Sequence, residues 1–541
     1  MADAARPSSY DAIVVGAGFA GLYMSHKLRE LGLKTRVYEI GGGVGGTWYW
    51  NRYPGARCDI ESMEYSYGFS EALQQEWEWT ERYASQPEIL TYANHVADRF
   101  ELRDDIQLNT RVDSAHFDER ANLWHIQTSD AASGEAHDSV TSKFYIMATG
   151  CLSARNTPDF KGLSDFQGPW YHTGNWPHEG VDFTGKRVAI IGTGSSAVQS
   201  IPLIAEQAGH LYVFQRTPNF SIPAHNEALD STVQADVKSD YQGFRASQRA
   251  AVFAANLNFS EEEAMHATPE AREREYEARW QKGGLAFLGS FSDLIYSKEA
   301  NDTAADFVRA KIRETVDDAA VAELLSPKSV VGCKRLCIDT NYFETYNRSN
   351  VTLIDVSDSP IEEITRSGVC VNGENYEVDS LVLATGFDAM TGALFGVDIR
   401  GRGGLPLKEK WSAGPRTYLG VSTAGFPNLF TISGPGSPSV LSNMLPSIEQ
   451  HVRWISDCIE YVQNHDLAYI EATLEAEDEW VGHVNEVAGE TLFPTCNSWY
   501  LGVNIPGKPR VFMPYIGGFP AYCEKCDAVA DNGYEGFAVS N

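Results

Sequence analysis

Two segments of the chain share a pattern of buried strand, glycine-rich turn, helix and second strand, and this pattern constrains the fold more than any other feature. Residues 10–39 read YDAIVVGAGFAGLYMSHKLRELGLKTRVYE, and residues 186–216 read KRVAIIGTGSSAVQSIPLIAEQAGHLYVFQR. Such a unit suits a dinucleotide, because the glycines let the backbone approach a pyrophosphate and the helix begins with free N–H groups. We therefore expect an α/β protein with two Rossmann-like dinucleotide-binding domains.

The residue that ends the second strand of each unit predicts which nucleotide the unit binds. Glu39 ends that strand in the first unit, and Arg216 ends it in the second. An acid accepts hydrogen bonds from free ribose hydroxyls, whereas an arginine suits a 2′-phosphate. The first unit is expected to bind FAD or NAD, and the second NADP. The three small positions of the two turns are Gly16, Gly18 and Gly21 in the first unit, and Gly192, Gly194 and Ala197 in the second.

Two further hydrophobic stretches, Phe144–Gly150 and Leu381–Asp388, contain Ala-Thr-Gly after a strand-like run. Two dinucleotide units in one chain suggest an FAD-binding domain interrupted by an NADP-binding domain. By resemblance to flavoproteins that bind two dinucleotides, these stretches are expected to be the crossings between the domains. A segment rich in Ala, Glu, Lys and Arg predicts helices within the second domain. The expected boundaries are 1–150 with 385–541 for the FAD-binding domain, 151–224 with 331–384 for the NADP-binding domain, and 225–330 for the helical insertion.

The composition excludes several other classes of protein. The chain has 43 basic and 73 acidic residues, a net charge of −30, which repels nucleic acid and anionic membranes. No apolar run is long enough to cross a membrane. The nine cysteines have no regular framework, so we expect free thiols in a reducing cytoplasm. Cys523 and Cys526 could form a redox pair, but no second redox signature accompanies them, and a metal site lacks a second ligand pair.

A twelve-residue stretch between the two units, FQGPWYHTGNWP, gives the most specific signal. It matches the pattern F-x-G-x-x-x-H-x-x-x-W-P at Phe166, Gly168, His172, Trp176 and Pro177. Five fixed residues at this spacing should occur by chance roughly five times in 100,000 chains of this composition. On this motif the chain resembles the Baeyer–Villiger monooxygenases, and within them the phenylacetone, steroid and cyclohexanone monooxygenases. The resemblance runs along nearly the whole length and is poorest over the predicted insertion.

This resemblance implies a reaction in which NADPH reduces FAD and O2 then forms a flavin C4a-peroxide. The peroxide attacks a ketone, an ester or lactone leaves, and the second oxygen atom becomes water. The family places an arginine beside the flavin to stabilise the peroxide, and the matching residue is Arg335, which stays protonated at working pH. The family also places an aspartate near that arginine, and the matching residue is Asp59. These two residues are the predicted catalytic pair.

The resemblance also assigns the remaining expected contacts. Lys334 matches a second contact to the NADP 2′-phosphate, and Trp499 matches a contact to the nicotinamide ribose. His172 is expected to couple the two domains rather than to transfer protons. The loops near Gln86 and 498–510 are expected to close over the bound nucleotide. Further expected contacts are Gly46, Thr47, Trp48 and Gln86 for the cofactors, Ser195, Ser196 and Thr217 for NADP, and Ser439, Val440 and Leu441 for the substrate.

Two other functions fit parts of the same pattern. A related flavin monooxygenase that oxidises amine nitrogen or sulfide sulfur would share both nucleotide units, although the complete fingerprint argues against it; oxidation of sulfides as a side activity is expected. An NADPH-binding redox sensor would need an output module, which we do not find in the sequence. The expected partners are therefore FAD, NADPH, O2 and a small ketone, with a monomer or weak homo-oligomer as the assembly.

The assignment of NADP to the second unit is tested by Arg216→Ala. Losing a hydrogen bond to a charged phosphate costs about 1.5–3 kcal/mol, so the KM for NADPH should rise about 10- to 100-fold. The KM for NADH, which has no 2′-phosphate, should be largely unchanged. Steady-state oxidation of both nucleotides measures the difference, and an equal rise for NADH and NADPH would contradict the assignment.

Overall fold

Residues 8–540 are described by the structure, a computed structural model, and they contain twenty strands. The predicted FAD-binding domain begins at residue 1, and its residues 1–7 lie outside the described part. The strands are β1 (Ser8–Val15), β2 (Thr35–Tyr38), β3 (Ile106–Gln107), β4 (Thr110–Asp118), β5 (Leu123–Asp130), β6 (Val140–Met147), β7 (Trp170–His172), β8 (Arg187–Ile191), β9 (His210–Gln215), β10 (Ser221–Pro223), β11 (Cys337–Asp339), β12 (Val351–Asp355), β13 (Glu363–Ile364), β14 (Gly368–Val371), β15 (Glu374–Glu377), β16 (Ser380–Leu383), β17 (Asp398–Arg400), β18 (Leu429–Thr431), β19 (Tyr469–Ala472) and β20 (Phe537–Ser540).

The same residues contain sixteen α-helices, besides short 3₁₀ turns. The helices are α1 (Phe19–Glu30), α2 (Thr47–Trp50), α3 (Glu71–Glu76), α4 (Gln86–Arg99), α5 (Ser195–Gln207), α6 (Ser231–Ser239), α7 (Tyr241–Ala250), α8 (Pro269–Lys282), α9 (Lys298–Thr315), α10 (Ala319–Leu325), α11 (Tyr342–Thr345), α12 (Gly392–Phe395), α13 (Leu407–Lys410), α14 (Met444–Asn464), α15 (Leu474–Gly489) and α16 (Phe519–Asp531).

The first dinucleotide unit lies in an eight-stranded mixed sheet. The strand order is β17-β4-β5-β6-β1-β2-β3, and β18 also pairs with β6. Strand β1 runs parallel to β2 and β6, and residues Ala12–Val15 are buried because the sheet is covered on both faces at its centre. The carboxyl end of β1 therefore opens directly into the glycine-rich turn, and Glu39 follows β2 immediately.

The second unit lies in a five-stranded, wholly parallel sheet of order β12-β9-β8-β16-β7. Its central strands β8 and β16 are almost entirely apolar, as expected for parallel strands that helices cover on both faces. Arg216 follows β9, and the two Ala-Thr-Gly segments follow β6 and β16 rather than lying within them. The predicted α/β fold class with Rossmann-like units is confirmed, whereas the exact domain limits stay a prediction.

Five helices, α6 to α10, lie between β10 and β11, in the region of the predicted insertion. Aspartate, threonine or serine side chains cap all five helices at their first turn, which explains locally why each begins where it does. Helix α7 is held in place by Arg245, which is 5% exposed. Arg245 donates hydrogen bonds to Ser66 Oγ (2.7 Å) and to Gln74 Oε1 (2.9 Å), so α7 packs against α3 and the loop that precedes it.

The expectation that all nine cysteines are free is wrong for two of them. Cys333 and Cys496 form a disulfide, with their Cα atoms 6.1 Å apart. The two residues are separated by 163 positions, so no local spacing could reveal the pair. The bond joins the segment before Lys334 to the segment before Trp499. The other seven cysteines, including Cys523 and Cys526, are free.

None of the helices within residues 8–540 combines the length and apolar character needed to cross a membrane. Over the same residues, no three histidine, cysteine, aspartate or glutamate side chains come together as ligands for a metal ion. The buried interior is instead dominated by apolar side chains, including one cluster that is continuous from α1 to α14 and across the second sheet.

The disulfide is tested by counting reactive thiols in the isolated protein. Alkylation under denaturing conditions without a reductant should label the seven free cysteines, and alkylation after reduction should label all nine. Peptide mass spectrometry should find Cys333 and Cys496 in one crosslinked pair. Nine labelled cysteines without a reductant would contradict this pairing.

Candidate active site

The first glycine-rich turn has the geometry of a dinucleotide cradle. Gly16 has a φ of +102°, and a Cβ atom there would lie 2.7 Å from the carbonyl oxygen of Ala148. A Cβ at Gly21 would lie 1.8 Å from the carbonyl oxygen of Gly16, so helix α1 could not approach the turn with any larger residue. Gly18 caps α1 without a side-chain hydrogen bond, which leaves the N–H groups of the first turn available to a pyrophosphate.

Glu39 lies at the end of β2 beside this turn and is 4% exposed. Its carboxylate accepts hydrogen bonds from the backbone N–H groups of Ala17 and Gly41, both at 2.7 Å. Burial raises the pKa of Glu39, and these two hydrogen bonds oppose the rise. Each carboxylate oxygen can accept further hydrogen bonds, so Glu39 fits the ribose hydroxyls of a dinucleotide.

The expected flavin contacts from the next loop lie against the same turn. Gly46 caps the short helix α2, and a Cβ atom there would lie 2.9 Å from the Cα of Gly18. Thr47 and Trp48 begin α2, and Gln86 at the start of α4 donates a hydrogen bond to the carbonyl oxygen of Trp48. The predicted loop residues and the first cradle are therefore neighbours.

The second glycine-rich turn repeats the first. A Cβ at Gly192 would lie 2.4 Å from the carbonyl oxygen of Ala384, and Gly194 caps α5 without a side-chain hydrogen bond. Ser195 and Ser196 are the first residues of α5, so their N–H groups point out of the helix terminus. The turn fits the pyrophosphate of a second dinucleotide. Thr217 lies beside it, because its carbonyl oxygen accepts a hydrogen bond from Thr193 Oγ1 at 2.9 Å.

Two cations lie together beside this second turn. Arg216 is exposed and Lys334 is half-buried. Burial lowers the pKa of Lys334, and the positive charge of Arg216 lowers it further. A phosphate between them would relieve this repulsion. Lys334 and Arg335 both line a small cleft, together with Asn219, Phe220, Ser329, Val330, Gly332 and Leu336.

Arg335 and Asp59 form a bidentate ion pair between distant parts of the chain. Arg335 Nε lies 2.7 Å from Asp59 Oδ2, and Nη2 lies 3.0 Å from Oδ1. The side chains are 19% and 24% exposed, so the pair is partly shielded from solvent. Burial acts to lower the pKa of Arg335, but the charge of Asp59 and its hydrogen bonds outweigh this effect and raise the pKa. The guanidinium therefore keeps its charge at any working pH.

The predicted substrate loop lies directly on this pair. Ser439, Val440 and Leu441 form a 3₁₀ turn, and the carbonyl oxygen of Val440 accepts a hydrogen bond from Arg335 Nη1 at 2.9 Å. Ser439 and Val440 are buried, and Leu441 is half-buried. Two predicted groups, the catalytic pair and the substrate loop, are thus brought together.

Trp499 lies in the C-terminal loop and is half-buried. Its ring lies 4.3 Å from that of Tyr500, which is 1% exposed. Burial raises the pKa of Tyr500, while the charge of Arg335 opposes the rise. Tyr500 was not among the predicted site residues, although it lies within the loop 498–510 that was expected to close over the nucleotide.

The loop that carries Trp499 is held in place at its far end. Lys508 Nζ donates to Asp388 Oδ1 at 2.5 Å and to the carbonyl oxygen of Ala389 at 2.6 Å. Asn504 Nδ2 donates to the carbonyl oxygen of Phe387 at 2.8 Å. The C-terminal loop therefore rests on the segment that follows the second Ala-Thr-Gly, which is the predicted crossing between domains.

The fingerprint residues lie at this same crossing rather than on the ion pair. His172 Nδ1 accepts from the N–H of Gly174, so Nε2 carries the proton and donates to the carbonyl oxygen of Asn156 at 3.1 Å. Thr385 Oγ1 lies 3.3 Å from the same nitrogen, and burial lowers the pKa of His172. Phe166 and Trp176 are buried, Pro177 is half-buried, and a Cβ at Gly168 would lie 2.5 Å from the carbonyl oxygen of Asp379.

Two further residues, which lie near Arg335 and Asp59, were also not predicted. Phe253, in the segment after α7, has its ring 4.9 Å from the guanidinium carbon of Arg335. Glu64 is 6% exposed and lines a small pocket that also reaches Asp59. The other lining residues are Ile60, Glu61, Tyr83, Asn256, Leu257, Lys282, Gly283, Leu285 and Ala286. No sequence motif marks Phe253, because it lies where the family resemblance is poorest.

Comparison with known sequences agrees with this geometry. Residues 13–277 match the family described as pyridine nucleotide-disulphide oxidoreductase. The chain is 46% identical to a Baeyer–Villiger monooxygenase of Pseudooceanicola batsensis, over 97% of this chain and 96% of that protein. It is 43% identical to the phenazine N-monooxygenase PhzNO1 of Lysobacter antibioticus, over 98% and 97%. It is 41% identical to a cyclohexanone 1,2-monooxygenase of an Acinetobacter species, over 98% and 96%.

Two solved structures have the same fold over nearly the whole chain. Oxidised steroid monooxygenase bound to NADP has a TM-score of 0.93 and 51% identity, over 98% of this chain and 100% of that one. OTEMO in complex with FAD and NADP has a TM-score of 0.95 and 39% identity, over 99% and 100%. Fold and site together define a flavin-dependent oxidoreductase that uses FAD and NADPH. The chain belongs to the Baeyer–Villiger monooxygenase family.

The buried carboxyl of Glu64 should make stability depend on pH. Burial raises its pKa from 4.5 to about 7, although its Oε1 accepts a hydrogen bond from the N–H of Asn256. Because the folded-state pKa is raised, the stabilisation is complete below about pH 4.5 and is lost as the pH rises through 7.

Glu64→Gln keeps the acceptor and removes the titration. Relative to this variant, the wild-type protein should lose about 1–3 kcal/mol of stability between about pH 5 and pH 8. Apparent melting temperatures of both proteins across this range measure the change. Melting curves that stay parallel at every pH would show that Glu64 is already ionised in the folded protein.

Proposed function

We propose that the protein uses NADPH and O2 to convert a ketone into an ester or lactone, through a flavin C4a-peroxide whose charge Arg335 stabilises. The observation that carries this proposal is the shielded bidentate pair of Arg335 and Asp59, which touches the substrate loop through Val440. A fixed positive charge in a partly dehydrated site stabilises an anion more strongly than it would in water. The peroxide must stay deprotonated to attack a carbonyl carbon.

The roles of the pair follow from its hydrogen bonds. A guanidinium has five N–H groups, and Arg335 uses three of them on Asp59 and Val440, so two remain for other acceptors. Asp59 fixes the plane in which these two groups point. Asp59 also offsets the cost of burying the cation. In this proposal Arg335 contacts the reacting oxygen, and Asp59 orients it.

The cofactor contacts are proposed from the two cradles. FAD would lie along Gly16, Gly18, Gly21 and Glu39, with Gly46, Thr47, Trp48 and Gln86 nearby. NADP would lie along Gly192, Gly194, Ser195 and Ser196, with its 2′-phosphate between Arg216 and Lys334, Thr217 beside it and Trp499 near the ribose. The uncapped helix termini and the paired cations support these assignments.

The proposed substrate is an aryl or otherwise bulky ketone. The loop Gly436–Leu445 resembles that of phenylacetone-type enzymes, and a relative with 51% identity is a steroid monooxygenase. The acidic surface makes nucleic acid and anionic membranes poor partners. We propose a cytoplasmic monomer or weak homo-oligomer. The Cys333–Cys496 bond weighs against that location, since cytosolic thiols are mostly kept reduced.

Oxygenation of aromatic nitrogen is the second candidate, because a phenazine N-monooxygenase is 43% identical over 98% of this chain. A neutral ring nitrogen is a nucleophile, whereas a ketone carbonyl is an electrophile. The two reactions therefore need the peroxide in opposite protonation states. An Arg335 that stays charged beside the substrate loop favours the anion, and so the ketone. Sulfides, which react like the ring nitrogen, are proposed as slower side substrates.

Product analysis separates these candidates. The purified holoenzyme would receive NADPH with aryl, cyclic and steroid ketones, an alkyl aryl sulfide, and phenazine, each alone and in competition. Esters or lactones should form fastest, with sulfoxide as a lesser product. If N-oxide forms and no ketone yields an ester, the ketone proposal fails and the second candidate replaces it.

Arg335→Ala tests the role of the cation. Removing one preorganised electrostatic contact lowers the rate of product formation by about 100- to 1000-fold or more. Reduction of the flavin by NADPH without O2 should persist, because that step does not need Arg335. Arg335→Lys keeps the charge but cannot hold Asp59 bidentately, so it should recover only part of the activity. Ester formation at the wild-type rate in Arg335→Ala would exclude the assigned role.

A further inference from the structure

Among the described residues, Phe253 is the one aromatic side chain of the predicted helical insertion whose ring lies within cation–π distance of the Arg335 guanidinium. The guanidinium carbon lies 4.9 Å from the centre of the Phe253 ring. This distance is within the range of a cation–π interaction, which strengthens when water is excluded. Phe253 is half-buried, and it lies just after the last turn of α7.

Three separate segments outside the predicted insertion hold the backbone around Phe253 in place. The carbonyl oxygen of Phe253 accepts from the N–H of Asn443, which caps α14 directly after the substrate loop (2.8 Å). The carbonyl oxygen of Val252 accepts from the N–H of Phe519 at 2.9 Å. The N–H of Asn256 donates to Glu64 Oε1 at 2.7 Å. These hydrogen bonds therefore anchor the backbone on both sides of the Phe253 ring.

The conformation of the same segment requires these anchors. Ala254 is fully buried and has a φ of 52°, in the left-handed region that residues other than glycine rarely adopt. The surrounding hydrogen bonds must maintain this turn, since an unrestrained alanine would leave it. The turn aims Phe253 at Arg335.

Different residues thus surround the Arg335 guanidinium. Asp59 and Val440 accept hydrogen bonds from three of its N–H groups, and its central carbon lies over the Phe253 ring. An apolar ring at this distance excludes water from the space that it occupies beside the cation.

We propose that Phe253 is a positioning residue for the oxygenation step, through its aromatic contact with Arg335. It holds the guanidinium so that its two remaining N–H groups stay aimed at one place, and it limits the access of water. The inference rests on the proposed function of Arg335. Its consequence is coupling: without the ring, more of the NADPH consumed should yield hydrogen peroxide and less should yield ester. The helical insertion would then contribute to the chemistry of the site.

Three variants of the holoenzyme test the proposal. Phe253→Leu keeps an apolar side chain of similar reach but removes the π-system. Phe253→Tyr keeps the ring. Phe259→Leu is the matched control, because it is the same substitution six residues away on a side chain that is 41% exposed. For each variant, the ester and the hydrogen peroxide formed per NADPH consumed are measured, together with KM for the ketone and anaerobic flavin reduction.

The ratio of hydrogen peroxide to ester should rise about fivefold in Phe253→Leu, the size expected from losing one cation–π contact. Phe253→Tyr should restore the wild-type ratio, and Phe259→Leu should leave it unchanged. Flavin reduction and the KM for the ketone should stay near the wild-type values in all three. If Phe253→Leu and Phe259→Leu give the same ratio of hydrogen peroxide to ester, the ring only fills space and the proposal is wrong.

A chemical readout separates this inference from the proposed function. Phenylglyoxal modifies accessible guanidinium groups, and peptide mass spectrometry can follow the labelling of Arg335 in the holoenzyme. Labelling should be faster in Phe253→Leu than in wild type, and slow again in Phe253→Tyr. If the wild-type protein forms no ester, but Arg335 is still labelled faster in Phe253→Leu than in wild type, the proposed function fails and the inference about Phe253 stands. Equal labelling in all the proteins would refute the inference alone.

Discussion

The ion pair between Arg335 and Asp59 joins residues 276 positions apart, and the geometry of the site depends on it. Asp59 ends the loop that follows the first cradle, and Arg335 enters β11 from the insertion. A partly buried arginine without its carboxylate would be strongly destabilising, because an unpaired charge would then remain in a dehydrated site. The pair therefore ties two distant parts of the chain together, and it leaves a permanent cation in the candidate site.

Besides the segment of Asp59, two chain segments reach this cation from different parts of the fold. The predicted substrate loop contributes the carbonyl oxygen of Val440, and the insertion contributes the ring of Phe253. The charge of Arg335 also acts on Tyr500 in the C-terminal loop. The disulfide at Cys333 and the ion pair of Lys508 hold that last loop close by. In the proposed reaction, these groups control the orientation and hydration of a single charge, and those properties decide whether a bound oxygen species reacts or decomposes.

The sequence could predict the cradles because their requirements are local. Gly16 and Gly192 must adopt positive φ beside a neighbouring strand, and Glu39 and Arg216 follow the second strand in both units. Arg335 and Asp59 were predicted from family resemblance, since no spacing rule links residues so far apart. The sequence did not predict Phe253, Tyr500 or the Cys333–Cys496 bond for the same reason, because each depends on long-range packing. Phe253 also lies in the least similar part of the chain.

In the proposed reaction, one atom of O2 enters a ketone beside its carbonyl carbon under the control of Arg335. The most direct measurement is mass spectrometry of the product formed from a ketone and NADPH under ¹⁸O2. The product should be an ester or lactone that carries one ¹⁸O atom, with the other atom released as water. Consumption of NADPH that yields only labelled hydrogen peroxide with every ketone, together with labelled N-oxide or sulfoxide from suitable probes, would contradict it.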